Sequence, residues 1–302
     1  MNRRAFLQTL AASSIAAAAP AVSSARPLPE ASGGSFQLSV MLWTVFRDLP
    51  FEQRLERVAS AGYRNVELVG EYRGWSAAQF AAANADRRRL GITFDATAGL
   101  GHGVGDPALR SAFLADLRQA LAVMETLSCP AMIVMSGNVV PTLSRQAQHR
   151  SCIEGLKRGA ALIEGRHIAG RPVRLLLECI DPEENPKYFL TSAAEAIQIV
   201  RAVHHPQVQF LYDLFHEQVA EGNLIEKLQK HIDVIGLIHV ADVPGRHEPG
   251  TGEINYTNIY RKLFELNYDR GIAMEFLPLG DPIQALRQAK KGLESAWPLS
   301  NA

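Results

Sequence analysis

The sequence predicts a single-domain α/β protein of the (β/α)8 TIM-barrel class. Three observations carry that expectation. Short apolar runs alternate with segments of helical period along most of the chain. Eight such strand–helix pairs fit into about 270 residues, the arithmetic of an eight-fold barrel. Four consecutive apolar runs near the end each stop at an acid or a histidine, as they do where a barrel presents its chemistry. The competing doubly wound sheet calls for a glycine-rich phosphate loop after its first strand, and Leu42-Trp43-Thr44 stands there instead.

Residues 1–25 read as an export signal to be set apart from the fold. Arg3-Arg4-Ala5-Phe6-Leu7 precedes a mildly apolar run over residues 11–19, and Ser23-Ser24-Ala25 offers small side chains for cleavage near Ala25. The run is too short and alanine-rich for a membrane anchor. The expectation is therefore a twin-arginine signal, recognised by the export machinery of that name, with a periplasmic product and no stable membrane insertion after cleavage. That route carries folded proteins and suits one that takes up a metal before leaving the cytoplasm. Residues 26–35, rich in Pro, Ser and Gly, read as a linker, and 36–302 as the barrel.

Strands are expected at residues 36–42, 65–69, 92–96, 131–135, 173–178, 208–212, 234–240 and 272–276. Helical patterning fits 51–61, 77–90, 108–127, 146–163, 193–203, 224–230, 256–266 and 282–291. Ala61-Gly62-Tyr63, Leu90-Gly91, Ala169-Gly170 and Arg270-Gly271 supply the stop and turn signals between them.

Charge narrows the partners. Removing residues 1–25 takes away Arg3 and Arg4 and leaves 29 basic against 31 acidic side chains, a formal charge of −2. Nothing in that balance recruits nucleic acid or anionic lipid. Cys129, Cys152 and Cys179 are odd in number and lie in or beside apolar segments, so buried free thiols are expected rather than a disulfide framework.

The strand ends hold the chemistry. Arg174-Leu175-Leu176-Leu177 ends in Glu178, residues 208–212 run into Asp213, Gly236-Leu237-Ile238 runs into His239, and Gly271-Ile272-Ala273-Met274 ends in Glu275. The intervals of 35, 26 and 36 residues are each close to one strand–helix unit, so four neighbouring strands would each deliver one side chain to the same rim. Three carboxylates converging there would repel one another and resist ionisation, and a divalent cation removes that conflict. Two Glu, one Asp and one His form an oxygen-rich set that suits Mg²⁺ or Mn²⁺, with Co²⁺ also admissible. Any one acid at a strand end is ordinarily a cap or a salt bridge; the four in register are the signal. His216, three residues after Asp213, would contact a substrate oxygen or sit inside with a backbone partner. Glu67 ends the second strand; a role at the rim or in support of the ligands is open to it, and a plain salt bridge is the simpler reading.

The run ADVPGRHEPGTGEINY, residues 241–256, follows His239. Its glycines and prolines exclude helix and strand, and they place Arg246 within reach of the rim. A guanidinium there would grip a small anionic substrate through its fork.

Three stretches carry a family resemblance: Tyr212-Asp213-Leu214-Phe215-His216-Glu217-Gln218, the sixteen-residue loop, and Met274-Glu275-Phe276-Leu277-Pro278. Over most of the chain beyond residue 36 it resembles the hydroxypyruvate isomerase family, within the xylose-isomerase-like barrels. The resemblance implies metal-assisted aldose–ketose isomerisation of hydroxypyruvate to tartronate semialdehyde. Glu178 and Glu275 would serve as acid/base groups and as ligands with Asp213 and His239, while His216 and Arg246 would contact substrate. Three departures point to a neighbouring reading. Leu277 stands at a family lysine position, Thr93-Phe94-Asp95-Ala96-Thr97 lacks a third-strand histidine, and Leu237-Ile238-His239 has an imidazole where many members carry an amide. An exported sugar or keto-sugar epimerase, isomerase or lyase is the alternative. A nuclease would need a histidine-rich site and a basic face, which the charge argues against. A binding protein that lost catalysis would bear Leu277 as its mark, yet it would not need all four ligand-type residues.

Overall fold

The computed structural model describes residues 36–296; the expected signal and linker, residues 1–25 and 26–35, lie outside the described residues. Eight strands form its inner wall: β1 (Gln37–Met41), β2 (Asn65–Leu68), β3 (Thr93–Thr97), β4 (Ala131–Met135), β5 (Arg174–Glu178), β6 (Val208–Asp213), β7 (Ile235–Val240) and β8 (Gly271–Met274). All run parallel. The last closes on the first, with Leu38 opposite Ile272 and Val40 opposite Met274, so the sheet is a barrel without free edges.

Side chains alternate across each strand, and the two faces bury against different things. Outward residues such as Val66, Phe94, Val134, Leu175, Leu177, Tyr212 and Ile238 join the large core beneath the helices. Inward residues Met41, Ala96, Ala131, Ile133, Leu176, Leu211, Leu237 and Ala273 fill the barrel. The spacing has a consequence for the rim. Glu178, Asp213, His239 and Glu275 each lie two positions beyond Leu176, Leu211, Leu237 and Ala273 respectively, so period two turns all four inward, one layer higher.

The helices are α1 (Phe51–Ser60), α2 (Ala77–Leu90), α3 (Arg110–Leu127), α4 (Arg145–Ile163), α5 (Ala193–Val203), α6 (Leu214–Ala220), α7 (Leu224–His231), α8 (Tyr256–Glu265) and α9 (Pro282–Ala296). Their starts follow from capping chemistry. Ser76 and Gln79 form a reciprocal capping box on α2, and Ser144, Ser192 and Asn255 cap α4, α5 and α8. On α3, Phe113, Leu117, Leu121, Met124 and Leu127 make one buried stripe, each contributing about 1.5–3 kcal/mol of burial.

The sequence reading placed every barrel strand and eight of these helices. It missed α6, a seven-residue helix that starts directly after Asp213. It also missed a small antiparallel pair, His167–Ile168 with Arg171–Pro172, before β5. Strand β8 stops at Met274, so Glu275 stands just past the ladder and its N–H bonds Val240 O at 3.0 Å. Cys129, Cys152 and Cys179 are buried free thiols, as expected.

Candidate functional site

Glu178, Asp213, His239 and Glu275 meet at the carboxyl ends of β5 to β8, all buried, with one ligand-type atom from each within 4.8 Å of the others. Asp213 closes β6 and also caps α6. Its Oδ1 accepts from Phe215 N at 2.8 Å and His216 N at 3.4 Å, leaving Oδ2 to face the mouth. His239 is held from within. Its Nε2 lies 2.9 Å from Glu67 Oε2, so Nδ1 points at the acids, 3.8 Å from Glu178 Oε1 and 2.5 Å from Glu275 Oε2. Trp43 donates its indole N–H to Glu275 Oε1 at 2.7 Å.

The electrostatics are those of crowded acids. Burial pushes Glu178 up to about 7; His239 pulls against that, and the Glu275 carboxylate adds to it. Glu275 sits under the same burial, yet the charges of Arg246 and His239 hold it well below the usual carboxylate range. His239 is raised well above its ordinary value despite burial, because Glu275 and Glu67 flank it.

Do these residues fit a metal? His239 Nδ1 and Glu275 Oε2 are buried and lie 2.5 Å apart, yet neither has a partner in hydrogen-bond geometry. A carboxylate and an imidazole nitrogen crowded in this way suit a shared cation, which would take the place of the Nδ1 proton. With two further buried carboxylates in reach, the donor set is three oxygens and one imidazole nitrogen, which could hold a divalent ion.

Arg246 adds a second positive charge to that of His239 beside these acids. Its Nη2 lies 2.8 Å from Glu275 Oε2 and 3.0 Å from Asp213 Oδ2, and its Nε donates to Glu275 O at 3.3 Å. The Nη1 group bonds both Glu184 oxygens, at 3.1 and 3.2 Å, and faces His216 Nε2 at 3.1 Å. The guanidinium is flanked by Phe215 and Trp43, at 5.0 and 5.7 Å from their ring centres. Arg246 is only 6 % exposed and takes a left-handed φ of 58°. The loop of residues 241–256 accounts for that posture. Asp242 accepts from the backbone N–H groups of Val243, Gly250 and Ile254 at 2.8–3.0 Å and ties the loop to itself. Gly252 passes so close that a Cβ there would lie 2.0 Å from Val243 O.

His216 is buried and sits on Asp181, Nδ1 to Oδ2 at 2.6 Å. Asp181, Glu184 and His216 also converge closely, but both imidazole nitrogens are engaged, by Asp181 and by Arg246, so this triad is a hydrogen-bonded support rather than a second ion site. All six residues singled out in the sequence thus come together. Trp43, Asp181 and Glu184 are the neighbours that sequence reasoning missed. Glu184 had a usable signal: it follows Glu178 by six residues, in the loop leading off the same strand.

Residues 55–296 match the model of the family described as the xylose isomerase-like TIM barrel. The chain belongs to that family. A Pectobacterium atrosepticum protein named 2-oxo-tetronate isomerase is 30% identical over 254 residues, 83% of this chain and 95% of the relative. A Danio rerio protein named "Putative hydroxypyruvate isomerase" is 30% identical over 262 residues, 82% of this chain and 92% of the relative. Among solved structures, an AP endonuclease of family 2 from Brucella melitensis superposes with a TM-score of 0.75 at 24% identity, covering 85% of this chain and 98% of that one. A D-psicose 3-epimerase from Clostridium cellulolyticum gives 0.71 at 19%, covering 86% and 98%. At those identities the structures speak to the fold alone.

Proposed function

We propose that this chain is an isomerase that moves a carbonyl to the neighbouring carbon of a short hydroxy-keto acid, with hydroxypyruvate as the first substrate to test. The observation that carries the reading is the buried, convergent set of Glu178, Asp213, His239 and Glu275 at the barrel mouth beside Arg246. Relatives at 30% identity that bear isomerase names support it.

Glu178, Asp213, His239 and Glu275 would hold a divalent ion, Mg²⁺ or Mn²⁺ by the hardness of the donor set. Bound there, it would polarise the substrate carbonyl and offset the negative charge that develops on its oxygen. The proton work falls to the carboxylates. A base takes a proton from C3 of hydroxypyruvate, which leaves an enediolate, and the proton is returned to C2 while the hydroxyl proton passes from O3 to O2. The product is tartronate semialdehyde, with every atom conserved. Glu178 suits the base role: its side-chain oxygens take no hydrogen bond among the described residues, which leaves it freer than Glu275 to reach a substrate carbon. Glu275 is fixed through both oxygens, by Trp43 on one side and Arg246 on the other.

Arg246 grips the substrate carboxylate at its outer edge in this reading. Its Nη1 partner Glu184 has a side chain 43% exposed, so it is the carboxylate that a substrate carboxylate would replace. A second reading keeps Glu184 in place to accept a hydroxyl, and the substrate is then a sugar or keto-sugar; the buried imidazole of His239 in place of an amide favours it. Glu184→Gln separates the two, because losing the competing charge should lower KM for hydroxypyruvate and raise it for a sugar. The N-terminal Arg3-Arg4 segment places the reaction in the periplasm in our reading, and N-terminal sequencing of the cell-fractionated protein tests that. No helix among the described residues is long and apolar enough to cross a membrane.

The deciding experiment is proton exchange. Metal-loaded protein is incubated with hydroxypyruvate in D₂O, and NMR follows deuterium at carbon, with Glu178→Gln and Glu275→Gln alongside. Incorporation into tartronate semialdehyde that both substitutions abolish supports the reading. No turnover by folded, metal-bound protein sinks it and moves the search to sugars.

A further inference from the structure

We propose that Glu67, acting from inside the barrel, is a positioning residue that fixes which nitrogen of His239 faces the candidate ion site. This rests on the metal site of the reading above, but its measurements need no turnover.

Glu67 is fully buried and belongs to β2, which is separated from β7 by β1 and β8 around the barrel. It therefore reaches His239 across the interior, 172 residues away in sequence, with Oε2 at 2.9 Å from Nε2. Among the described residues His239 is its only ion-pair partner; no Lys or Arg pairs with it. Burying a carboxylate with one oxygen on a single polar partner and the other on none is costly, and the fold keeps that one contact. What the contact does is geometric. An imidazole has two nitrogens, and a carboxylate on one of them fixes both the ring's rotation and the proton's position. With Nε2–H donating to Glu67, Nδ1 is the nitrogen left to the site, and it is found among Glu178, Asp213 and Glu275, where a cation would replace its proton.

The backbone is shaped for this. Along the β2–β3 pairing, Val66 lies opposite Phe94 but Glu67 opposite Ala96, so Asp95 is an extra residue and the register shifts at Glu67. Irregularities of this kind re-aim side chains beside sites. Both acids are buried, and Asp95 accepts from Ser39 Oγ at 2.9 Å. Burial and the Glu67 charge push Asp95 up to about 8, against the Ser39 hydrogen bond, so one of the two interior acids stays neutral at ordinary pH.

The test uses the full chain, labelled with ¹⁵N-histidine, in the metal-free form and with Mg²⁺ or Zn²⁺ added. His239 is assigned through His239→Gln. The expected wild-type spectrum has a downfield, slowly exchanging Nε2–H on His239 that persists when metal is added. In Glu67→Gln that proton should exchange about tenfold faster or more, and affinity for the ion should fall about 10–100-fold by calorimetry with the fold retained. An unchanged Nε2–H signal together with unchanged affinity in Glu67→Gln overturns the assignment. Should that variant fail to fold, the wild-type spectrum alone decides: a metal-bound His239 protonated at Nδ1 and bare at Nε2 is equally fatal. Wild type that binds metal with the expected spectrum but turns over no substrate leaves Glu67's role intact and removes only the hydroxypyruvate reading.

Discussion

Glu178 and Glu275 stand at the ends of the two outer strands of the four that build the site, yet the chain treats them differently. Glu275 has Trp43 on Oε1 and Arg246 on Oε2, whereas Glu178 has no side-chain hydrogen bond among the described residues. A locked carboxylate is a good ligand and a poor shuttle; an unlocked one can carry a proton between adjacent carbons. Trp43→Phe keeps an aromatic ring beside Arg246 but removes the N–H that fixes Glu275. A charge-assisted hydrogen bond is worth about 1.5–3 kcal/mol, so kcat should fall roughly 10–100-fold while KM moves little. Steady-state kinetics on the substrate that passes the D₂O experiment checks this, and a pure KM effect would contradict it. At this scale the sequence was uneven. The four ligand-type residues could be read because each ends an apolar run, so local pattern and position in the fold coincide. The role of Trp43 is not legible, because its partner lies 232 residues further on and no local pattern encodes such a contact.

The loop of residues 241–256 is the element that decides where Arg246 points. Asp242 gathers three backbone N–H groups, and Gly252 lets the returning strand of the loop pass against Val243. Composition alone announced a turn-rich segment near the rim, and the structure agrees. That the loop would fold back on Asp242 could not be read, since it depends on which N–H groups a single carboxylate can reach in three dimensions. The same reasoning explains α6. Seven residues give too little periodicity to register, and the helix is set by Asp213 capping its first turn. Gly252→Ala puts a methyl into Val243 O and must push the loop outward. Arg246 then loses its aim, so kcat/KM is expected to drop about 10–100-fold for a displacement near 1 Å. Thermal stability should fall by only a few degrees, because the barrel core is untouched. Equal loss of activity and of the whole folding transition would show instead that the loop is structural.

On the scale of the whole molecule, the barrel was legible because eight strand–helix units fit one length of chain and one kind of closure. The polar interior was not legible. Ser39 and Asp95 read as ordinary strand positions and Glu67 as a salt-bridge partner, and only closure of the sheet places all three inside one wall. That interior predicts an unusual pH dependence of stability. Asp95 ionises near 3.8 when unfolded, but at about 8 when folded, because it is buried beside Glu67. Between those values the folded state holds the extra proton, so stability falls as pH rises, the reverse of a salt-bridged carboxylate. The full benefit is present below the unfolded value and is lost progressively until pH passes the folded one. Asp95→Asn keeps an acceptor for Ser39 and cannot ionise, so it should remove this component. Metal-free wild type and variant melted from pH 5 to pH 9 should diverge. The gap in Tm should widen in the variant's favour by roughly 5–15 °C at the alkaline end, as several kcal/mol implies for a domain of this size. Parallel curves would mean that Asp95 is ionised throughout and that a cation inside the barrel, with Arg171 the nearest candidate by its effect on Asp95, already balances it.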